Sequence, residues 1–186
     1  MGKPLRLFLI LIALVSIVLV CLLCRGGLFD QGMLGEITDP GEYSKIMEEA
    51  EDNSYLNHFP SDIPASAEYV RFHFHPSVFQ GGTALQLRVR LPSDEVEEIR
   101  SSFNNEAEFI FRAQISEEEA ASLESVRIPY FYTTDDGVTE WPDGFEHLVF
   151  GTVFTGSEDF PSNHGLTYGI SISVDDSEVV YWYEDW

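Results

Sequence analysis

The chain has 186 residues, 32 of them acidic and 10 basic, so its formal net charge at pH 7 is −22. A charge of that sign repels nucleic acid and argues against a DNA- or RNA-binding role. Aromatic residues make up 13% of the chain, and because disordered acidic segments are poor in them, the composition indicates a folded domain.

Residues 7–24 form an apolar run that begins with Leu7, ends with Cys24 and contains one polar side chain, Ser16. A helix of this length measures roughly 27 Å, close to the hydrocarbon thickness of a bilayer. Lys3 and Arg6 precede the run, and positive charge before a span favours a cytoplasmic N-terminus. The sequence therefore predicts a single-pass anchor in the cell membrane, with the lipid bilayer as partner and the remainder extracytoplasmic.

Two alternatives to an uncleaved anchor stay open at the end of this run. A lipoprotein signal needs a small residue before the modified cysteine, but Val20 precedes Cys21 and Leu23 precedes Cys24. A cleaved signal peptide ends in an Ala-x-Ala-like pattern, which is missing here. Both patterns fit poorly, so the sequence favours an anchor that is neither cleaved nor lipidated.

The chain divides into three predicted parts. Residues 1–25 are the signal-anchor, the Gly-rich residues 26–40 are a juxtamembrane linker, and residues 41–186 are an acidic domain. All 32 acidic residues and seven basic ones follow residue 25, which gives that part a formal charge of −25. No cysteine follows Cys24, so the domain is expected to fold on its hydrophobic core without disulfides.

The first half of the domain contains one predicted helix and two predicted strands. A helix is expected over 40–57, with Asp39 as N-cap and Pro40 at its first position. Apolar and polar residues then alternate strictly in 69–75 and again in 83–91. This period of two predicts two strands, which the intervening Gly-Gly pair joins as a hairpin.

The second half continues the same pattern of short helices and strands. The predicted helices are 92–103 and 116–123, and the predicted strands are 108–114, 147–154, 166–174 and 179–183. Further Tyr-bearing strands are expected on either side of a turn at 135–137. The predicted fold is α+β, a mostly antiparallel sheet with a few helices on one side, preceded by the transmembrane helix.

Four polar residues of the first hairpin are expected on one face of the sheet, and three of them are among the domain's seven cationic side chains. They are Arg71, His73, Arg88 and Arg90. Paired guanidiniums bind carboxylate or phosphate in a bidentate manner, so this face is the predicted ligand-binding site for a small anion. The alternative is that helix 93–103 covers the face and that its acids pair with the arginines. These acids are Asp94, Glu97 and Glu98.

The five histidines are candidate metal ligands. His73 and His75 are two apart on a strand and point the same way, but zinc needs further ligands. His58, His147 and His164 are available, yet nothing in the sequence brings them close. We therefore predict no metal and no cofactor, and expect two half-exposed imidazoles on the sheet.

Two features near the end of the chain have open interpretations. The aromatic residues 181–186 are expected to pack back onto the core, or otherwise to form an edge that binds a partner. In the Asn163-His164-Gly165 run, either His164 faces a ligand or Gly165 supplies a positive φ angle.

Several short motifs occur in a fixed order. They are His58-Phe59-Pro60, Ile63-Pro64, Gln80-Gly81-Gly82, Asn163-His164-Gly165, Tyr168-Gly169 and the closing Tyr181-Trp182-x-Glu184-Asp185-Trp186. Over residues 55–186 this order resembles a family of small uncharacterised bacterial membrane-associated or exported proteins. The resemblance implies a bacterial source and a single extracytoplasmic domain, and it transfers no activity and no catalytic residues.

The sequence contains no His-Glu-x-x-His, Gly-x-Ser-x-Gly or phosphate-binding glycine loop. No catalytic residue is therefore predicted. We expect a membrane-anchored extracytoplasmic module that binds a small anionic ligand or a membrane protein partner without catalysis. The alternatives are an envelope enzyme that uses histidine and carboxylate chemistry, and a scaffold subunit of a membrane complex.

Overall fold

The computed structural model describes residues 35–77, 82–112, 126–156 and 164–186. From Glu36 onward the chain forms one compact unit. No helix within the described ranges has the length and apolar character needed to cross a membrane. The predicted span, residues 7–24, and the predicted helix 116–123 lie outside the described residues.

A sheet of six antiparallel strands, in the order β1-β2-β6-β5-β4-β3, organises the described residues. The strands are β1 (Tyr69–His75), β2 (Ala84–Arg90), β3 (Phe109–Arg112), β4 (Glu146–Phe154), β5 (Gly165–Ser173) and β6 (Glu178–Asp185). The six strands predicted over 69–75, 83–91, 108–114, 147–154, 166–174 and 179–183 match β1 to β6 to within two residues at each described end, and the hairpin predicted for the first two is confirmed. The fold is α+β, as predicted.

Two short helices precede and follow the first hairpin. A 3-10 turn over Pro40–Glu42 leads into α1 (Tyr43–Glu49), and Asp39 caps this turn by accepting a hydrogen bond from the amide of Gly41 at 2.9 Å. The predicted helix 40–57 is thus too long, because the chain breaks after residue 49 and resumes as a 3-10 turn over Ser54–Leu56. The second helix, α2 (Ser93–Phe103), is confirmed.

Both helices contribute to the main hydrophobic core on one face of the sheet. Tyr43 and Ile46 of α1 and Val96 of α2 belong to the same buried cluster as the apolar residues of five strands. The strand residues are Phe72, Leu85, Leu87, Val89, Leu148, Ile170, Ile172, Val179, Tyr181 and Tyr183. The predicted packing of the C-terminal aromatic residues onto the core is confirmed, since Tyr181, Trp182 and Tyr183 are buried.

A segment without regular secondary structure, residues 126–145, lies on the opposite face. Phe131 and Phe145 of this segment pack with Val149, Val180 and Trp182 of the sheet in a second buried cluster. The prediction of Tyr-bearing strands around the turn at 135–137 is therefore wrong. The two arms of the segment share a backbone hydrogen bond from Phe131 to Thr139 at 2.9 Å, and their aromatic side chains cover the sheet instead of extending it.

Gly169 is required where the indole of Trp182 crosses the neighbouring strand. A Cβ atom at Gly169 would lie 2.7 Å from Cζ2 of Trp182 and would also meet the carbonyl oxygen of Leu148. Overpacking of this kind typically costs about 1–3 kcal/mol. We expect Gly169→Ala to lower the free energy of unfolding by that amount in urea titrations. Gly41→Ala, at an exposed position, serves as control, and equal effects of the two changes would contradict the prediction.

Candidate functional site

The register of the first hairpin places the predicted site residues on one face. Arg71 lies opposite Arg88, and His73 lies opposite Gln86. Arg88 in turn lies opposite Val180 of β6, which belongs to the cluster covered by residues 126–145. The face is therefore covered by this segment, not by the helix 93–103 that the alternative interpretation placed there.

Glu178 binds two of the arginines. Nε and Nη2 of Arg88 donate to Oε2 of Glu178 at 3.0 and 2.8 Å, and Nη2 of Arg90 donates to its Oε1 at 2.8 Å. Glu178 is 2% exposed. Both carboxylate oxygens are thus engaged, and the two guanidiniums share one carboxylate of the chain itself.

Arg71 is bound to Asp135 of the covering segment. Its Nε donates to Oδ1 of Asp135 at 2.6 Å, and the hydroxyl of Tyr69 donates to Oδ2 at 2.6 Å. These two hydrogen bonds lower the pKa of Asp135, and the first of them raises the pKa of Arg71. Of the described carboxylates, those that pair with the three arginines of the face come from β6 and the covering segment. They do not come from the acids of helix 93–103.

His73 is 6% exposed, so the expectation of a half-exposed imidazole is wrong for this residue. Its ring stacks on that of Tyr132 with centroids 4.5 Å apart, and its Nδ1 lies 2.8 Å from Oε1 of Glu36. Burial lowers the pKa of His73, and the Glu36 carboxylate opposes this shift. The ring is therefore neutral near pH 7, and Nδ1 carries the proton that it donates to Glu36.

A cleft of about 600 Å³ opens beside His73. It lies where β1, β2 and β6 meet the turn of the covering segment. Its lining residues include Glu36, His73, Tyr132, Thr139, Glu184 and Trp186. Among the four predicted site residues, His73 lines this cleft; the three arginines are not among its described lining residues.

Glu184 is the second buried polar residue of the cleft, at 7% exposure. Its Oε1 accepts a hydrogen bond from the hydroxyl of Tyr132 at 2.8 Å, and its Oε2 lies 3.9 Å from Nε of Arg127. Burial raises the pKa of Glu184 more than Tyr132 and Arg127 lower it. Tyr132 therefore contacts both buried groups, stacking on His73 and donating to Glu184.

Two buried atoms of this cleft's side chains have no hydrogen-bond partner among the described residues. They are Nε2 of His73 and Oε2 of Glu184. Because Nδ1 of His73 donates to Glu36, Nε2 carries a lone pair and is an acceptor. Buried polar atoms are usually paired, since leaving one unpaired costs about 1–3 kcal/mol. The side chains of the cleft therefore carry two acceptors that receive no hydrogen bond from the described residues, and one of them, Oε2 of Glu184, lies within ion-pair distance of Arg127.

The remaining histidines occupy separate environments. His58 is buried and its Nε2 lies 3.1 Å from the carbonyl oxygen of Trp182, whereas Nδ1 of His147 lies 2.6 Å from the hydroxyl of Ser171.

His164 is exposed beside the backbone of Trp186, and Gly165 has no positive φ angle. Gly165 instead allows close approach, since a Cβ atom there would lie 2.7 Å from the Trp186 ring. Within the described ranges, no three His, Cys, Asp or Glu residues are grouped to hold a metal ion.

Sequence reasoning missed Glu36, Tyr132 and Glu184. Glu36 falls in the predicted linker, 37 positions from His73, and Tyr132 falls in the segment predicted as strand. Glu184 did carry a signal, because it continues the alternation of Val180 and Trp182 on one face of β6. An acid at an inward position of a strand indicates a buried carboxyl group.

Comparison with protein-family models, with curated proteins and with solved structures finds no match to this chain.

Proposed function

We propose that this chain is a membrane-anchored protein whose extracytoplasmic domain binds a small ligand in the cleft beside His73. The observation that carries the proposal is the pair of buried, unused acceptors, Nε2 of His73 and Oε2 of Glu184, on side chains that line a cleft of about 600 Å³. Ligand pockets have volumes of this order and a small number of convergent polar groups. The anchor is residues 7–24, with the N-terminus in the cytoplasm.

A second candidate function is catalysis by the His73–Glu36 pair. A carboxylate that accepts from Nδ1 holds an imidazole in the tautomer that acts as a general base through Nε2. That arrangement is present at 2.8 Å. Binding is the better supported of the two, because no described hydroxyl or other nucleophile lies within hydrogen-bonding distance of Nε2.

A thermal-shift screen of the full chain in detergent tests the binding proposal. A ligand at 100 times its Kd stabilises a protein by about 2.7 kcal/mol and raises its melting temperature by several degrees. The screen should contain amines, polyols, carboxylates, phosphates and divalent metals. We expect at least one class to raise the melting temperature.

Two neighbouring variants locate the site of any such ligand. Thr139 is exposed and lines the cleft, so Thr139→Trp fills it. Val138 is exposed and is not among the cleft's lining residues, which makes Val138→Trp a matched control. The ligand-induced rise in melting temperature should vanish in Thr139→Trp and persist in Val138→Trp. A shift that persists in both would place the site elsewhere and overturn the proposal.

A further inference from the structure

The charges that line the cleft are of one sign. Glu36, Glu184 and Asp185 are among its lining residues, and no described lining residue is lysine or arginine. Asp185 is already engaged, since it accepts from the amide of Thr83 and from the hydroxyl of Tyr183. Glu36 is exposed at the rim and His73 is neutral. None of the described lining residues therefore supplies a positive charge with which to hold an anion, and the guanidinium of Arg127 beside them pairs with the carboxylate of Glu184.

The hydrogen-bonding groups of the cleft also favour a cationic ligand over an anionic one. Both unused atoms, Nε2 of His73 and Oε2 of Glu184, are acceptors. A carboxylate or phosphate ligand offers acceptors, which leave these atoms unpaired and face the carboxylates with like charge. Ammonium and guanidinium groups offer N–H donors and a positive charge.

The chain itself shows a cation bound at one end of the cleft. The guanidinium of Arg127 lies over the ring of Trp186, 4.1 Å from its centroid, and 3.9 Å from Oε2 of Glu184. An aromatic face combined with a carboxylate is a recurrent arrangement for organic cations. At the other end, Glu36 pairs with the neutral ring of His73, and no described cation lies within ion-pair distance of this carboxylate.

We infer that the ligand of the cleft is an organic cation, a small amine whose N–H groups donate to His73 and to the carboxylates of Glu36 and Glu184. The inference rests on the proposed function and gives it a ligand class. Both unused atoms are closed to water, and Tyr132 contacts both side chains.

Three probes with the same four-carbon chain separate the ligand classes. They are butane-1,4-diamine, butane-1,4-diol and succinate, which present ammonium, hydroxyl and carboxylate ends. We expect calorimetric titration of the full chain in detergent to detect binding of the diamine, with affinity at least 100-fold above that for either other probe. Binding of the diol or of succinate that is lost in Thr139→Trp would overturn the amine inference and leave the proposed function standing. If no probe class binds at the cleft, both fall.

Matched charge variants separate the site from general attraction to an acidic protein. Glu36→Gln removes a carboxylate from the cleft, whereas Glu98→Gln removes an exposed one from α2. The first change should weaken diamine binding at least tenfold and the second should leave it unchanged in 0.15 M salt. Since Glu36 is exposed, its variant is expected to fold. Equal effects of the two variants, or loss of all binding in 0.5 M salt, would assign the binding to diffuse surface charge and overturn the inference.

Discussion

Replacing Glu178 by alanine is expected to lower the free energy of unfolding by about 3–5 kcal/mol, because the change leaves buried positive charge without a partner. Glu178 is 2% exposed and accepts hydrogen bonds from Arg88 and Arg90. The side chain of Arg88 is itself only 16% exposed. Urea titration of the purified chain, monitored by tryptophan fluorescence, measures the loss.

Two further variants define the origin of this effect. Asp135→Ala breaks the exposed pair with Arg71 on the same face, and its effect should be several-fold smaller because solvent screens that pair. In the double variant Glu178→Ala/Arg88→Leu, part of the lost stability should return, since the buried positive charge of Arg88, which has lost its partner, is removed as well. A Glu178→Ala protein that is as stable as the Asp135→Ala protein would show that the buried cluster contributes no more than a surface ion pair.

Acidification from pH 7 to pH 4 is expected to destabilise the domain through two buried histidines. Burial lowers the pKa of His58 and of His147 to about 4, from about 6.5 in the unfolded chain. A depressed histidine pKa means that the unfolded state binds the proton first. The stability is therefore complete above about pH 6.5 and is lost as the pH falls toward 4, by about 3 kcal/mol for each histidine.

Unfolding titrations in urea at pH 7.5, 6, 5 and 4 measure this dependence. His147→Phe should reduce the slope of stability against pH by the contribution of one buried histidine, because one of the buried protonation sites is gone. Nδ1 of His147 lies 2.6 Å from the hydroxyl of Ser171, which also accepts from the indole N–H of Trp182, so the variant leaves Ser171 with a partner. His75→Ala, at an exposed position, is the control and should retain the full slope. An unchanged slope in His147→Phe would contradict the assignment.

The first two strands were predictable because their apolar side chains lie on one face, toward the main core, and their polar side chains lie on the other. Tyr69–His75 alternates apolar and polar residues over its whole length, and β2 repeats the pattern. A half-buried strand imposes this period on its sequence. Residues 126–145 carry no such period, because their aromatic side chains fill gaps over a sheet face without joining its ladder. Their place in the fold depends on tertiary packing, and the sequence alone misassigned them.

The candidate site was predictable only as far as local geometry reaches. The alternation on β1 and β2 was sufficient to place His73 beside the arginines. Which carboxylates meet them depends on pairings between distant segments. Glu178 is 90 positions from Arg88, and Glu36 is 37 positions from His73. The strand order and the position of Glu36 cannot be derived from the sequence alone. The sequence therefore could not distinguish arginines that are paired with the chain's own carboxylates from an open anion site.

The position of β6 in the sheet has a consequence for how the domain folds. β1 and β2 pair with each other, and β3, β4 and β5 form a second set, but the two sets are joined only through β6, among the described strands. Each set can assemble from contacts between segments that are close in sequence. The two sets can join only when β6 pairs with both, and β6 follows both of them along the chain. Contacts of such long sequence separation are entropically costly to close, so this step is expected to limit the folding rate. Until it occurs, the edges of β2 and β5 remain unpaired and open to association with other chains.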